Sequence, residues 1–386
     1  MSSMPLNKNL HFVREATSIA INQQVYNKKH QGERVITLSL GEAYFDIPDF
    51  GFDAINFKQG YHYSDTAGLP ALRQKLAAHY SNQFNIHSID ADKNIIISAG
   101  SKLLTYLSML AILNHGDEVL LHEPAWLSYQ DQASLCGAET RYIPYHVKAE
   151  NFRQYFSENT KLLIINNPNN PAGWIYDKHE LVQLIKLAEQ SGIYVLFDEA
   201  YSDFVANTEH FHSASYYIAD FDNVIVVNSM SKNFGMSGWR VGFLVATPHL
   251  VQHILKLNQH IITCAPTPLQ MYFAEHFTQI YHSCQQQINA LMVKRQQVAN
   301  LLEQHQLKPL SGNATFYFFI DISQSSMSSK QLCKTLLEHF NIALVPGSAY
   351  GHSTNGFIRL SFGTEPLTDI EYAIKTIASF CSGEQE

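Results

Sequence analysis

The 386-residue sequence has few cysteines and no long apolar run. Its five cysteines are far apart and form no C-x-x-C pair, which excludes a zinc knuckle and a disulfide framework and favours a reducing compartment. No apolar run approaches the ~20 residues that a membrane helix requires, and the N-terminus lacks a signal-peptide pattern. We therefore expect a soluble, cytoplasmic protein with no membrane partner.

Positive charge is also scarce, because 26 lysines and arginines stand against 34 acidic residues and the net charge is −8. Such a surface would repel nucleic acid, so we expect no nucleic-acid partner. The motifs G-x-G-x-x-G and G-x-x-x-x-G-K-[ST] are missing, which counts against a dinucleotide or a nucleoside triphosphate as ligand.

From about residue 94 the sequence alternates short β-branched runs with longer amphipathic stretches. Nearly continuous apolar runs, typical of strands buried on both faces, predict strands at residues 94–98, 118–122, 161–166, 194–198, 223–228 and 242–246. Apolar residues at helical spacing predict helices at 103–113 and 178–191. The pattern predicts an α/β fold with a mostly parallel, doubly wound sheet flanked by helices.

After about residue 280 the pattern changes to that of a smaller α+β unit. A long helix is predicted at 283–305, and strands at 316–322 and 357–362 enclose a helix at 330–340. No flexible linker or internal repeat is present. We therefore predict a large domain over residues 50–280 and a small domain made of residues 1–49 and 281–386.

Polar residues that directly follow the strands are candidates for a binding site, since ligands of open α/β sheets lie beyond the carboxyl ends of the strands. The turn at residues 100–102 precedes a helix, whose free N–H groups and positive dipole end suit a phosphate. Asp198 ends an apolar strand, where a buried carboxylate requires a cationic partner. Lys232 and Arg240 follow the next strand. Taken one at a time, these residues are better explained as ordinary turns and solvated side chains than as a binding site.

Together these residues match the groups of one cofactor. A compact anion needs N–H donors, hydroxyl groups and an arginine, which are available at Gly100, Ser101, Ser229 and Arg240. Asp198 suits a protonated ring nitrogen, and Lys232 supplies an amine that forms an imine with an aldehyde. Phosphate, pyridinium and aldehyde describe pyridoxal 5′-phosphate.

The run SMSKNFGMSGWRVG at residues 229–242 resembles the cofactor-lysine signature of the class I/II aminotransferases, which are aspartate aminotransferase-like members of the fold-type I superfamily of pyridoxal-phosphate enzymes. The resemblance extends over nearly the whole chain. It implies that Lys232 holds the cofactor as an imine and carries the α-proton, and that Ser229 and Arg240 bind the phosphate. The implied reaction moves an amino group between an L-amino acid and a 2-oxo acid through a pyridoxamine phosphate intermediate.

Three more runs resemble family segments that contact the cofactor ring. NPNNPAG implies that Asn170 binds the phenolic oxygen and the substrate, with a candidate cis peptide bond before Pro171. DEAYSDF implies that Asp198 binds the ring nitrogen and that Tyr201 binds the phenolic oxygen. EPAWLSY implies that Trp126 stacks on the ring face.

Further runs resemble segments that bind substrate or the second subunit. YHYSDTAGLPALR implies that Tyr63 reaches the phosphate of a neighbouring subunit, and therefore a homodimer. FIRLSFGT implies that Arg359 grips the substrate α-carboxylate, and SLGEAYFD places Gly41 in a loop that closes over the substrate. Lys102, counted among the cofactor-binding residues, stands where some bacterial members bind a distal carboxylate, although a solvated lysine explains it equally well.

Alternative functions share the same residues. A lyase such as a carbon-sulfur β-lyase, a decarboxylase or a cyclising synthase on this fold would use Lys232 and Asp198 in the same way. A pyridoxal-phosphate-binding regulator is disfavoured because only about 40 residues precede Gly41, too few for a DNA-binding module. The pairs His249/His253 and His210/His212 lack further ligands nearby, so we expect no metal site. We predict a homodimeric, pyridoxal-phosphate-dependent aminotransferase whose donor and acceptor the sequence does not indicate.

Overall fold

The computed structural model describes residue 13 and residues 15–206 and 211–382. The helices α1 to α10 are Thr17–His30, Phe57–Gly60, Pro70–Phe84, Ser101–Ile112, Ser128–Leu135, Lys178–Glu189, Pro248–Ile261, Thr267–Gln304, Ser329–Phe340 and Leu367–Ser382. The strands β1 to β13 are Ile36–Thr37, Ile95–Ser98, Glu118–His122, Glu139–Ile143, Thr160–Asn166, Tyr194–Asp198, Val224–Ser229, Gly242–Ala246, Lys308–Pro309, Tyr317–Asp321, Ile342–Ala343, Val345–Pro346 and Phe357–Ser361. Within the described ranges, no helix combines the length and the apolar character that crossing a bilayer requires.

Seven strands form the central sheet in the order β2-β8-β7-β6-β5-β3-β4. Strand β8 is antiparallel to both of its neighbours, and the other neighbouring strands are parallel. Alternate residues of a strand enter different cores. Val195 and Phe197 of β6 pack with α3, α6 and the first part of α8, whereas Leu196 packs with α4, α5 and α7. The predicted mostly parallel sheet with helices on both faces is confirmed.

The six strands predicted between residues 94 and 246 are all present, with ends shifted by at most one residue. The strand β4 was not predicted. Its sequence ETRYI lies at the edge of the sheet and alternates between exposed and partly buried positions, so it lacks the continuous apolar run that marks the inner strands. An edge strand with one solvent-exposed face has a composition similar to that of a loop.

The C-terminal part contains a second sheet of four antiparallel strands in the order β12-β13-β10-β9. Helices α9, α10 and the second part of α8 contribute to its core. Strand β1 pairs in parallel with β11, so the segment before the central sheet packs against this unit. The division of the chain at residues 49 and 280 remains a prediction.

Helix α8 begins at Thr267, whereas the sequence predicted only a helix at 283–305. Proline at the first turn of a helix costs no hydrogen bond, and Pro268 occupies that turn here, although in the sequence it resembles a loop residue. Phe273 of this helix packs in the core of the central sheet, and Ile288 packs in the second core. One continuous helix therefore contributes to both cores.

Candidate active site

A cavity of about 410 Å³ lies where the carboxyl ends of the central strands meet the C-terminal unit. The predicted residues that line it are Gly41, Ser101, Lys102, Trp126, Asn170, Asp198, Tyr201, Ser229, Lys232, Arg240 and Arg359. Gly100 adjoins it, because a Cβ atom at this position, where φ is 89°, would lie 2.5 Å from Nη2 of Arg240. The structure thus brings these residues together around one space.

The lysine after β7 lies in this cavity with its amine among charged groups. Lys232 donates a hydrogen bond from Nζ to the carbonyl oxygen of Gly41. Desolvation lowers the pKa of Lys232 to about 8; Glu42 opposes this shift, and Arg359 and Arg240 add to it. A substantial fraction of the amine is therefore neutral near physiological pH, as a nucleophilic lysine requires.

The carboxylate at the end of β6 is buried and has only neutral hydrogen-bond donors. Asp198 is 7% exposed; its Oδ2 accepts from Oη of Tyr129 at 2.7 Å, and its Oδ1 accepts from the backbone N–H of Ala200 at 3.1 Å. Burial raises the pKa of Asp198, and these two hydrogen bonds oppose the shift. No described cation forms an ion pair with it, so a protonated ring nitrogen placed here would relieve the cost of burying the charge.

One end of the cavity collects groups that bind anions. Helix α4 begins at Ser101 and presents its N-terminus there, beside Ser229 and Arg240. Arg240 has a left-handed backbone with φ of 55°, and its guanidinium donates to the carbonyl oxygen of Ser237 at 2.6 Å. Nζ of Lys102 lies 4.9 Å from the ring centroid of Trp126. This donor set fits a phosphate group.

The charge balance of the cavity supports the same conclusion. Its lining contains four cationic side chains, Lys102, Lys232, Arg240 and Arg359, and a single acidic one, Asp198. Four like charges around a small space repel one another and favour an anionic ligand. A ligand with a phosphate and a carboxylate would neutralise them.

A chain of hydrogen bonds links the loop after β5 to the loop after β6. Nδ2 of Asn170 donates to Oη of Tyr201 at 3.1 Å, and this hydroxyl lies 2.9 Å from Oη of Tyr317. Burial raises the pKa of Tyr201 to about 12, so the hydroxyl keeps its proton and remains a donor. The predicted cis peptide bond between Asn170 and Pro171 is confirmed.

Arg359 of β13 is 3% exposed and closes the cavity from the side of the C-terminal unit. Its Nη2 donates to the carbonyl oxygen of Ser39 at 2.6 Å, and its Nη1 donates to Oδ1 of Asn170 at 3.3 Å. The guanidinium carbon lies 4.7 Å from the ring centroid of Tyr317 and 5.5 Å from that of Tyr350. No described carboxylate pairs with this buried charge, which suits it to the carboxylate of a ligand.

Several residues of the cavity were not identified from the sequence: Ser18, Asn22, Tyr129, Asn166, Ser231, Ser237 and Tyr317. Tyr129 and Tyr317 are almost fully buried, and in the sequence they look like core aromatics. The one sequence signal for Tyr129 was its place three residues after Trp126. In the structure the two rings make an edge contact.

Two sets of residues named in the sequence analysis lie outside the cavity: Tyr63, predicted to bind phosphate, and the described members of the histidine pairs, for which no metal site was expected. Tyr63 is 84% exposed and lines a separate surface pocket with residues 262 and 264–267. His249 and His253 are exposed on α7, and His210 lies outside the described residues. In the described ranges, no group of three or more histidine, cysteine or acidic residues is arranged to hold a metal ion.

Comparison with known proteins gives the same family throughout. The family model described as aminotransferase class I and II matches residues 33–377. The chain is 30% identical to the aspartate aminotransferase of Pyrococcus horikoshii, over 94% of this chain and 95% of that protein. It is 31% identical to the aspartate aminotransferase of Bacillus sp. strain YM-2, over 95% of this chain and 96% of that protein.

Solved structures show the same fold. The aspartate aminotransferase from Thermotoga maritima superposes with a TM-score of 0.86 at 26% identity, covering 98% of this chain and 100% of that one. The aspartate aminotransferase from Thermus thermophilus, solved with maleate, superposes with a TM-score of 0.89 at 24% identity, covering 98% of this chain and 100% of that one. With the family model matching most of its length, this chain belongs to the class I and II aminotransferases and is a pyridoxal-phosphate-dependent aminotransferase.

Proposed function

We propose that the cavity holds pyridoxal 5′-phosphate and that the protein moves an amino group between an L-amino acid and a 2-oxo acid. The observation that carries the proposal is the placement of a lysine amine of lowered pKa between a buried carboxylate and an anion-binding end. Lys232, Asp198 and Arg240 provide these three elements around one cavity. The bound cofactor supplies an electron sink for the α-carbon of the substrate.

Each wall of the cavity has a proposed binding role. The N-terminus of α4, Ser229 and Arg240 would bind the phosphate, and Asp198 would pair with the ring nitrogen. Asn170 and Tyr201 would donate hydrogen bonds to the phenolic oxygen, and Trp126 would cover one face of the ring. The composition of the lining supports this assignment. Asp198 is the one carboxylate among the described lining residues, so no other acidic side chain of the lining would repel a phosphate at Arg240 and α4.

Lys232 and Arg359 would act on the substrate itself. Arg359 would hold the α-carboxylate through two parallel hydrogen bonds and so orient the α-carbon. The amine of Lys232, once free, would accept the α-proton as a general base, for which a pKa of about 8 is well suited. The buried rings of Tyr317 and Tyr350 beside Arg359 exclude water from that contact.

The pKa of Lys232 predicts how cofactor capture depends on pH. Only the neutral amine attacks an aldehyde, and burial lowers the pKa from 10.5 to about 8. Below pH 8 the capture rate should therefore rise about tenfold per pH unit, and above pH 8 it should level off. Stopped-flow absorbance after mixing apoprotein with pyridoxal phosphate between pH 6 and 10 measures this rate. A rate that still rises tenfold per unit above pH 9 would show an unperturbed lysine.

We further propose that the protein acts as a cytoplasmic homodimer. Tyr61 and Tyr63 are 78% and 84% exposed and line one surface pocket, an exposed aromatic patch that a second copy would cover. Tyr63 from a second copy would then complete the phosphate site. The five cysteines have no disulfide partner, which supports a reducing compartment.

The proposed reaction is tested by the visible absorbance of the purified protein loaded with pyridoxal phosphate. Amino acids are added one at a time without any 2-oxo acid. Bleaching of the visible band, with one equivalent of 2-oxo acid formed per site, supports amino transfer and names a donor. Pyruvate, ammonia or carbon dioxide formed over many turnovers with the band retained would instead indicate a lyase or a decarboxylase.

A further inference from the structure

Glu123 directly follows β3 and is only 1% exposed, and its carboxylate is bound by a loop from the C-terminal unit. One oxygen accepts a hydrogen bond from the backbone N–H of His352. The other accepts from the backbone N–H of Ser353 at 3.1 Å and from the hydroxyl of Ser353. No described cation forms an ion pair with Glu123. The carboxylate directly after β3 thus binds a loop that lies 229 residues further along the chain.

The loop that Glu123 holds is closed on itself. Oγ1 of Thr354 donates to the carbonyl oxygens of Gly347 at 2.8 Å and Gly351 at 3.1 Å, and the backbone N–H of Tyr350 donates to Gly347 at 2.9 Å. A Cβ atom at Gly351 would lie 2.3 Å from Oε1 of Glu123, so loop and carboxylate are in close contact. Residues 347–354 therefore form a turn held by its own hydrogen bonds, and we expect it to shift as a unit if its contact with Glu123 changes.

The same loop contacts two walls of the cavity. The ring of Tyr350 packs against the guanidinium of Arg359, with 5.5 Å between the guanidinium carbon and the ring centroid. The carbonyl oxygen of Tyr350 accepts a hydrogen bond at 2.8 Å from the backbone N–H of Ala125, the residue before Trp126. The loop thus contacts both Arg359 and the backbone beside Trp126.

We infer that Glu123 is a positioning residue for substrate binding: by holding the loop at 351–353 it fixes Arg359 opposite Trp126 and thereby sets the affinity for the substrate carboxylate. The inference rests on the proposed function, in which Arg359 binds that carboxylate. Glu123 itself does not line the cavity, so its effect is transmitted through Tyr350.

The variant Glu123→Gln tests this inference, because glutamine keeps the size of the side chain but directs an NH₂ group at donors that need an acceptor. We expect KM to rise about tenfold for both the amino acid and the 2-oxo acid, because both bind through Arg359. The value of kcat should change less than about threefold. The absorbance of the bound cofactor should stay the same, since Glu123 forms no hydrogen bond with Lys232 or Asp198.

Glu118 provides a matched control at the other end of the same strand. It is 7% exposed, accepts from the hydroxyls of Ser157 and Thr160, and pairs with Arg141 at 3.3 Å, away from the cavity. We expect both Glu118→Gln and Glu123→Gln to lower Tm by a few degrees, but Glu118→Gln should leave KM unchanged. Equal KM values in the two variants would show that Glu123 has only a structural role.

A milder variant covers the case in which Glu123→Gln does not fold. Ser353→Ala removes one hydrogen-bond donor to Glu123 and leaves the backbone donors of His352 and Ser353 in place. It also removes the acceptor of a long hydrogen bond, 3.4 Å, from the backbone N–H of Tyr145. It should raise both KM values about twofold to threefold, and an unchanged KM would overturn the inference. If neither the wild type nor Glu118→Gln transfers an amino group from any donor, the proposed function is refuted. An active enzyme whose KM is unchanged in the variants refutes only the inference about Glu123.

Discussion

Replacing Lys232 with alanine is expected to lower kcat by at least about 10⁴-fold, because the variant lacks both the amine that holds the cofactor and the base that moves the α-proton. The protein should still bind pyridoxal phosphate, since Ser229, Arg240 and Asp198 are unchanged. The bound cofactor should show the spectrum of the free aldehyde. Steady-state assays with the donor found by absorbance, together with a cofactor titration, measure both effects.

A second lysine variant separates chemistry from stability. Lys294 is partly buried, like Lys232, and burial also lowers its pKa, but its Nζ donates to the carbonyl oxygens of Phe362 and Glu365, outside the cavity. Lys294→Ala should lower Tm and leave kcat within about twofold. Turnover by Lys232→Ala that approached that of Lys294→Ala would remove Lys232 from its proposed role.

Replacing Arg359 with alanine is expected to lower kcat/KM by about 10³-fold. Two charge-assisted hydrogen bonds to the α-carboxylate would be lost, each worth about 1.5–3 kcal/mol. Most of the effect should fall on KM, and it should be the same for donor and acceptor because both carry the carboxylate. Initial rates measured with each substrate varied in turn separate the two parameters.

The variant Arg359→Lys retains the charge but cannot form two parallel hydrogen bonds. It should fall between the wild type and Arg359→Ala, with a KM raised about tenfold to a hundredfold. If all three proteins had the same KM for both substrates, the carboxylate would be bound elsewhere. Cofactor absorbance should be unaltered in both variants, since Arg359 is proposed to contact the substrate and not the phosphate.

The part of the site built on the central sheet could be predicted from sequence patterns. Continuous apolar runs mark the inner strands, and the carboxyl ends of parallel strands meet at one edge, so Asp198, Lys232 and Arg240 were expected to converge. Gly41 and Arg359 come from outside this sheet, and no periodicity relates them to it. Only the family resemblance placed them in the site.

Other features of the site depend on packing that local sequence does not encode. Tyr129 donates to Asp198, and Tyr317 contacts Tyr201. In the sequence, however, a buried tyrosine of the site cannot be distinguished from a buried tyrosine of the core. The loop that binds Glu123 likewise brings together residues that are more than 200 positions apart. A contact of that kind can be identified only from the three-dimensional structure that contains both units.

The 38 residues of α8 extend over about 57 Å at 1.5 Å per residue, and they connect the two cores without a break. Because each core contains part of this helix, we expect the two units to unfold together, and thermal denaturation should occur in one transition. Chain cleavage near residue 280 would divide the helix and leave an apolar stripe uncovered on each fragment. We therefore expect that cutting there does not yield two independently folded pieces.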